Sequence, residues 1–378
     1  MLVNELEQLL QRLEEGDCRL RRPDFEMLSD LNRNEMEDFA GLYRKAPAAV
    51  RLSLISALAH MTHESFEYNF DRIFKGALDD PDPQVRAGAI GGLWESEDVS
   101  LAGRYVRLLR NDPDERVRAA AAFGLGHFVY LAEVEDMDET IANEVETALF
   151  TVVHDPDETL EVRRRAIESL GFSSNPDVPA LLRDAYEDGD RLLRVSALTA
   201  MGRSASRRWR KVVLREVESP DSEIRMEAVR ACGELELREA VSALTRLIEQ
   251  DKDLDIRKEA VRALGQAGGR AAQKVLELLI DTEEGPLFDA AQDAMDELIF
   301  ASSCPEISDL IRQDEEEEED EELYLADDDD LEDWDDPDEE EDTDEDAGWS
   351  RVDDDLDDED DEDDQEELSR PSQRKRSA

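Results

Sequence analysis

The side chains best suited to chemistry are few in this chain. It has four histidines, and two of them, His60 and His63, sit together in AHMTHES, while His127 and His154 lie elsewhere. His63-Glu64 is a single His-Glu dipeptide, too little for a dinuclear metal site. Cys18, Cys232 and Cys304 are far apart with no CxxC pair, which argues against a zinc site or a disulfide framework and fits a reducing cytoplasm. No Gly-rich phosphate loop, GxSxG, HExxH or Cys-His arrangement stands out. Acidic pairs occur throughout and so point to no particular acid–base site. The expectation is a non-catalytic chain without cofactor or metal.

What does recur is an arginine inside a helix-like segment: VRLSLISALA from Val50, VRAGAIGGLW from Val85, VRAAAAFGLG from Val117 and VRRRAIESLG from Val162. LRVSALTAMG from Leu193, IRMEAVRACG from Ile224 and IRKEAVRALG from Ile256 continue the series. The marker arginines are 51, 86, 118, 163, 194, 225 and 257, at spacings of 35, 32, 45, 31, 31 and 32, with Phe288 standing at the equivalent place 31 further on. A fixed period of this size marks a solenoid of stacked units.

Each unit needs two helices to position that arginine. Apolar residues fall at helical spacing, as in Ile256, Ala260 and Leu264. A second amphipathic segment fills the rest, for example AVSALTRLIEQD from Ala240. Acidic or Pro turns such as DDPDPQ, NDPDER, HDPDET and ESPDSE separate the two. The closing glycines Gly126, Gly171, Gly202, Gly233 and Gly265 suit left-handed C-terminal caps. One pair cannot bury its apolar faces alone, so neighbouring pairs must stack.

These segments resemble HEAT repeats, in the short form found in phycobilisome lyases, over roughly residues 45–300. The resemblance implies an all-α, right-handed α-solenoid of about eight HEAT-like helix pairs. It also implies a ladder of inter-repeat hydrogen bonds between a turn Asp and the Arg six residues on. Asp80 with Arg86, Asp112 with Arg118, Asp157 with Arg163, Asp188 with Arg194, and Asp251 with Arg257 keep that spacing. Ser219 with Arg225 departs from it. Taken as charges alone, these would be weak surface ion pairs worth ~0–1 kcal/mol each. One enzyme of similar repeat type, deoxyhypusine hydroxylase, needs several His-Glu dipeptides, and this chain has Asp and Arg where those would stand. A bilin-lyase-like role is a further alternative that the repeat type alone permits.

The expected organisation is an N-terminal helical cap at 1–45, the solenoid at 46–312 with a far cap from Pro305, and a disordered acidic tail at 313–378. Net charge is −57. Between Asp314 and Leu368 there are 38 acids and one base, Arg351, and four cations follow from Arg370. The remaining body holds 63 acids and 39 bases. Such a tail cannot bury enough apolar surface to offset its ordering entropy. Tyr324, Trp334 and Trp349 punctuate it and could grip a basic surface.

The charge disfavours direct nucleic-acid binding, and no apolar run approaches the ~18 residues a membrane span needs. The expected partner is a protein with a basic surface, in the cytoplasm. On the body, Trp94 and Phe123 border a small-residue stretch (Ala87, Gly88, Gly91, Ala119, Ala120, Ala122) that could form a groove or simply pack helices closely. A basic island, Arg203, Arg207, Arg208, Arg210, Lys211 and Arg215 around Trp209, could receive an acidic group or pair with nearby acids. The wide 45-residue step places an insertion near His127–Thr140, either a binding loop or a longer helix. Function is thus expected to be that of an interaction scaffold, with a chaperone-like acidic decoy for basic proteins as the alternative.

Overall fold

The computed structural model describes residues 2–302, apart from 18, 66, 95, 135 and 136. All of these fall in the first of two units, Met1–Asp320. The expected far cap from Pro305 and the acidic tail lie outside the described residues, as do Tyr324, Trp334 and Trp349.

The described residues form eighteen α-helices and two short 3-10 turns. Three helices, α1 (Leu2–Glu14), α2 (Arg22–Leu28) and α3 (Arg33–Tyr43), precede α4 (Ala48–Glu64). Seven pairs follow. They are α5 (Asp71–Ala77) with α6 (Pro83–Gly92), α7 (Ser100–Asn111) with α8 (Glu115–Glu133), and α9 (Glu139–Val153) with α10 (Leu160–Leu170). Next come α11 (Val178–Glu187) with α12 (Arg191–Arg203), α13 (Arg210–Glu216) with α14 (Ser222–Glu234), α15 (Val241–Gln250) with α16 (Leu254–Ala267), and α17 (Gly269–Thr282) with α18 (Pro286–Ser302). Among the described residues no helix is long and apolar enough to cross a membrane.

The even-numbered helices from α4 to α18 pack side by side in one continuous row. Each odd-numbered helix from α5 onward leans on its even partner. The core therefore runs the length of the repeat array, through Leu54, Val85, Val117, Val162, Leu198, Val229, Val261 and Ala291, each nearly or fully buried. Fully burying a side chain of this size stabilises by about 1.5–3 kcal/mol, and each pair is completed by its neighbours.

The D-P-D turns show why helices start where they do. In Asp80-Pro81-Asp82 the first carboxylate accepts the Asp82 backbone N–H at 2.9 Å, closing the turn. The second accepts the Gln84 N–H at 2.8 Å and caps α6. Asp112 and Asp114 repeat this before α8. Asp251 and Asp253 repeat it before α16. Such caps are worth ~1 kcal/mol each.

The closing glycines are not left-handed caps. Gly126, Gly202, Gly233 and Gly265 lie within helices, and Gly171 has φ −55°. They are points of close approach between neighbours in the even-numbered row. A methyl group on Gly171 would sit 2.7 Å from the Ala200 Cα, and one on Gly265 2.8 Å from the Ala294 carbonyl oxygen. Gly202 meets the Ala231 Cα at 3.0 Å and Gly233 the Ala263 Cα at 3.2 Å. The left-handed positions come later: Ala205 has φ 50° and Glu236 has φ 52°. Around Glu236 the backbone N–H groups of Glu236 and Leu237 donate to the Gly233 and Cys232 carbonyls at 2.9 and 3.0 Å, a Schellman closure.

The insertion is helix for the most part. α8 runs 19 residues and α9 runs 15, so most of His127–Thr140 extends these two helices rather than forming a long loop.

Candidate interaction surface

The ladder arginines define the turn-side edge. Arg86 donates from Nε and Nη2 to Asp112 at 2.9 and 2.7 Å, and from Nη1 to the Asp80 carbonyl oxygen at 2.8 Å. The carboxylate of a rung thus belongs to the next repeat, while the Asp six residues back contributes its main-chain oxygen. Arg118 makes the same fork to Glu158 at 2.8 and 2.7 Å and reaches the Asp112 carbonyl at 2.9 Å. Arg225 forks to Asp251 at 3.0 and 3.4 Å and reaches the Ser219 carbonyl at 2.8 Å. Serine at 219 therefore leaves the Arg225 rung intact, because only its backbone is used. Arg51 adds a rung that the six-residue spacing does not reveal, to Asp80 at 2.7 and 2.8 Å.

Three of the expected pairs form no carboxylate rung of their own. Asp157 and Asp188 are exposed. Arg163 donates to the Val153 carbonyl at 3.2 Å, and Arg257 to the Ile248 carbonyl at 2.5 Å. Arg194 donates to the Tyr186 carbonyl at 3.4 Å and stacks over the Tyr186 ring at 5.1 Å. Arg194 faces the repeat whose turn has Ser219 in place of Asp. At Asp155-Pro156-Asp157 the stretch before the helix is two residues longer, so Glu158 takes the rung. Burial pushes the Glu158 and Asp251 carboxyls up, but hydrogen bonds outweigh it. Arg118 and the Thr159 N–H act on Glu158, and the Asp253 N–H and Arg225 on Asp251. Both pKa values end below the ordinary carboxylate range.

The even-numbered row presents a different surface. Phe123 on α8 is 47 % exposed. Arg165 from α10 and Arg203 from α12 lie over its ring at 5.8 and 5.6 Å. Arg203 also covers Phe172 at 5.1 Å, and Tyr130 meets Phe172 edge-on at 5.9 Å. Arg203 is fixed by donating to the Glu168 carbonyl at 2.8 Å. Glu168 is buried and accepts from Arg165 at 2.9 Å and Ser196 at 2.7 Å. Burial lowers the Arg203 pKa against the pull of Glu168, yet a guanidinium stays charged at neutral pH. Trp94, just after α6, is exposed and stacks on His63 at 4.9 Å. Tyr130 in the extended part of α8 and Val134 at its C-cap are exposed at 49 % and 46 %. Their signal in the sequence was the long step itself.

The small-residue stretch mostly packs helices. Ala119 and Ala122 are buried, and a methyl on Gly88 would meet Ile55 at 3.3 Å. Gly91 alone among its glycines faces open space. The basic island is divided. Trp209 is core, 3 % exposed, and so is no partner-binding residue. It ends the short turn Arg207–Trp209 and stands at the N-cap of α13, its ring buried in the core. Arg215 donates to the Tyr186 hydroxyl at 2.8 Å. Arg207, Arg208, Arg210 and Lys211 remain exposed.

Among the described residues no group of three or more His, Cys, Asp or Glu side chains is placed to hold a metal. His127 is half-buried, its pKa lowered by burial, with no hydrogen-bond partner at Nε2. A cleft of 360 Å³ is lined by Thr62, Ser65, Tyr68, Asp71, Ser96 and Asp98, among others. Lys75 bridges Asp71 and Asp98 there at 3.2 and 2.9 Å, so these carboxylates already tie the loops together.

Solved structures with similar folds include an engineered protein at 20% identity and TM-score 0.34, covering 52% of this chain and 96% of that one. Human deoxyhypusine hydroxylase in complex with glycerol is similar at 16% identity and TM-score 0.31, covering 79% of this chain and 97% of that one. Importin beta is similar at 14% identity and TM-score 0.38, covering 78% of this chain and 48% of that one. No curated protein sequence matches the chain. A family model described as HEAT repeats matches residues 104–202 and 211–296. Regular spacing, stacked helix pairs and this match agree: the chain is a HEAT-repeat protein.

Proposed function

We propose that this protein is a non-catalytic interaction scaffold that binds a protein partner through the even-numbered row near Phe123, assisted by its acidic tail. The observation that carries this reading is the exposed ring of Phe123, held by Arg165 and Arg203 rather than covered, with exposed Tyr130 set edge-on to Phe172 and exposed Trp94 stacked on His63. Exposed, pre-positioned aromatics beside arginine are the composition of binding hot spots. The tail, with 38 acids, favours a partner with a basic surface. The repeats supply Asp and Arg for structure where a hydroxylase of similar repeats would need His-Glu pairs, which supports the non-catalytic part. A cytoplasmic location is proposed from the scattered cysteines.

The test is side-by-side capture with full-length, tail-deleted and Phe123→Ala/Tyr130→Ala protein. The scaffold reading expects one partner to be retained by full-length protein and lost with the aromatic double variant. Retention by the double variant, with loss only on tail deletion, would instead favour an acidic decoy for basic proteins. The decoy should also release poly-lysine steeply as salt rises, since screening reaches ~8 Å at physiological ionic strength.

A further inference from the structure

One guanidinium on the even-numbered row is held without being neutralised. Arg203, the last residue of α12, reaches back toward two earlier repeats. Its guanidinium carbon lies over the Phe123 ring of α8 at 5.6 Å and over the Phe172 ring, just after α10, at 5.1 Å. Nη1 donates to the Glu168 carbonyl oxygen at 2.8 Å. A guanidinium carries five N–H donors. Among the described residues Nε and Nη2 make no hydrogen bond, and both stay open to solvent. The cations beside it are already matched: Arg164 pairs with Glu161, and Arg165 with Glu161 and Glu168, all at 2.9 Å. Glu168, Glu234 and Glu227 act on Arg203 through space, and none forms an ion pair or side-chain hydrogen bond with it. Burial lowers the Arg203 pKa by more than these carboxylates raise it, so the positive charge is under-compensated where it sits.

We propose that Arg203 receives a single carboxylate from a peptide partner, and that the apolar side chain next to that carboxylate rests on the exposed ring of Phe123. The inference rests on the scaffold reading for its surface and adds the chemistry of what is bound there. Three observations select the ligand. Two rings and a carbonyl fix the guanidinium before anything binds, so little side-chain freedom is lost when an anion arrives. Its open donors form the planar fork that matches a carboxylate. The charge left over is a single one, because Arg164 and Arg165 are balanced by Glu161 and Glu168. That suits a monoanion. A phosphate dianion or a nucleic acid would meet repulsion from Glu234 and Glu227 with only one cation to hold it. Phe123, 47 % exposed, supplies the apolar contact alongside. An aromatic beside a fixed arginine is the pairing that dominates binding energy at interfaces. The acidic tail's match to a basic surface is a separate contact.

The test is a chemical-shift titration of the full chain that follows the arginine Nε–Hε signals. The probe is N-acetylphenylalanine, one phenyl ring with one carboxylate. Its amide keeps the ring and lacks the charge, and phenyl phosphate carries the ring on a dianion. The acid is expected to shift the Arg203 signal saturably and to bind at least about tenfold tighter than the amide, the gain of one charge-assisted pair. Arg203→Gln should erase that preference. This variant also removes the donor to the Glu168 carbonyl, so Arg203→Lys is measured beside it. Lysine keeps the charge and loses the fork, and the preference should fall severalfold with helical circular dichroism unchanged. Phe123→Ala should weaken acid and amide alike. The proposal is overturned if acid and amide bind equally, if either Arg203 variant leaves the preference intact, or if phenyl phosphate binds tighter than the acid. Severalfold tighter binding by the tail-deleted chain would place the chain's own acids at Arg203 and overturn a partner as the occupant. The probe needs no cellular partner, so its failure leaves the capture result standing, and a failed capture leaves the probe result standing.

Discussion

The two edges of this solenoid use arginine in opposite ways. On the turn-side edge, Arg51 and Arg86 each satisfy a nearly buried carboxylate and a backbone carbonyl at once. Nothing is left over for a partner. On the opposite edge, Arg207 opens a short 3-10 turn and stays exposed, with no carboxylate partner among the described residues. Phe123, Arg165 and Arg203 lie between these extremes: they are organised by their neighbours yet reachable from solvent. The lesson is that periodic arginine does not by itself indicate either structure or binding. The depth of its carboxylate partner decides. Asp80 is 6 % exposed and Asp112 9 %, so neither can be left unpaired cheaply.

The sharpest way to break this contrast is Arg51→Ala. It strands Asp80 in a buried setting, and breaking such a pair costs about 3–5 kcal/mol. Chemical denaturation should show that loss, whereas Arg207→Ala should shift stability by less than ~0.5 kcal/mol. Comparable losses for the two would erase the distinction between the edges.

Gly171→Ala is expected to rank next. Its methyl would press on the Ala200 backbone at 2.7 Å, and overpacking of this kind costs about 1–3 kcal/mol. Gly91, whose methyl would meet only open space, should respond in the opposite sense: Gly91→Ala stabilises by up to ~1 kcal/mol through helix propensity. A cap role for Gly171 would leave packing unaffected, so a cavity-neutral loss in a thermal melt discriminates.

Acid should act on the ladder edge. Glu158 and Asp251 have folded pKa values below their unfolded ones. Their contribution is therefore complete above about pH 4, the unfolded value, and is lost as pH falls through the folded values. Asp251→Asn should lower stability at neutral pH and flatten the fall below about pH 4; an unchanged acid limb in a pH series of urea melts would contradict this. Smallest of all, Glu236→Gly should stabilise by ~0.5–1 kcal/mol, since Glu236 holds φ 52° without a glycine's freedom.

Much of the fold was legible in the residues. The 31–35 spacing and the D-P-D turns were enough for the row of helix pairs, because both are local: one is helical periodicity, the other capping chemistry. Less of the candidate surface could be read this way. Trp94, Phe123 and Arg203 were named from sequence, but Trp209 was placed beside them and proved to be core. A tryptophan among arginines carries no sign of which way its helix faces. Tyr130 and Val134 were hidden in an insertion whose length was visible and whose helical form was not. The glycines show the same limit. A glycine near a helix end fits a cap by position, yet Gly171, Gly202, Gly233 and Gly265 are each a notch for an alanine of the next repeat, and Gly126 is one for Ser169.

What the sequence determined by itself is the repeat: its period, its paired helices and its turn chemistry. These follow from interactions a few residues apart. What only tertiary structure decided is which repeat each side chain reaches. Arg86 stands six residues from Asp80 and 26 from Asp112, and its guanidinium takes the backbone of the first and the carboxylate of the second. Stacking sets that choice, since it brings the next turn within hydrogen-bond distance and closes the near carboxylate into its own turn.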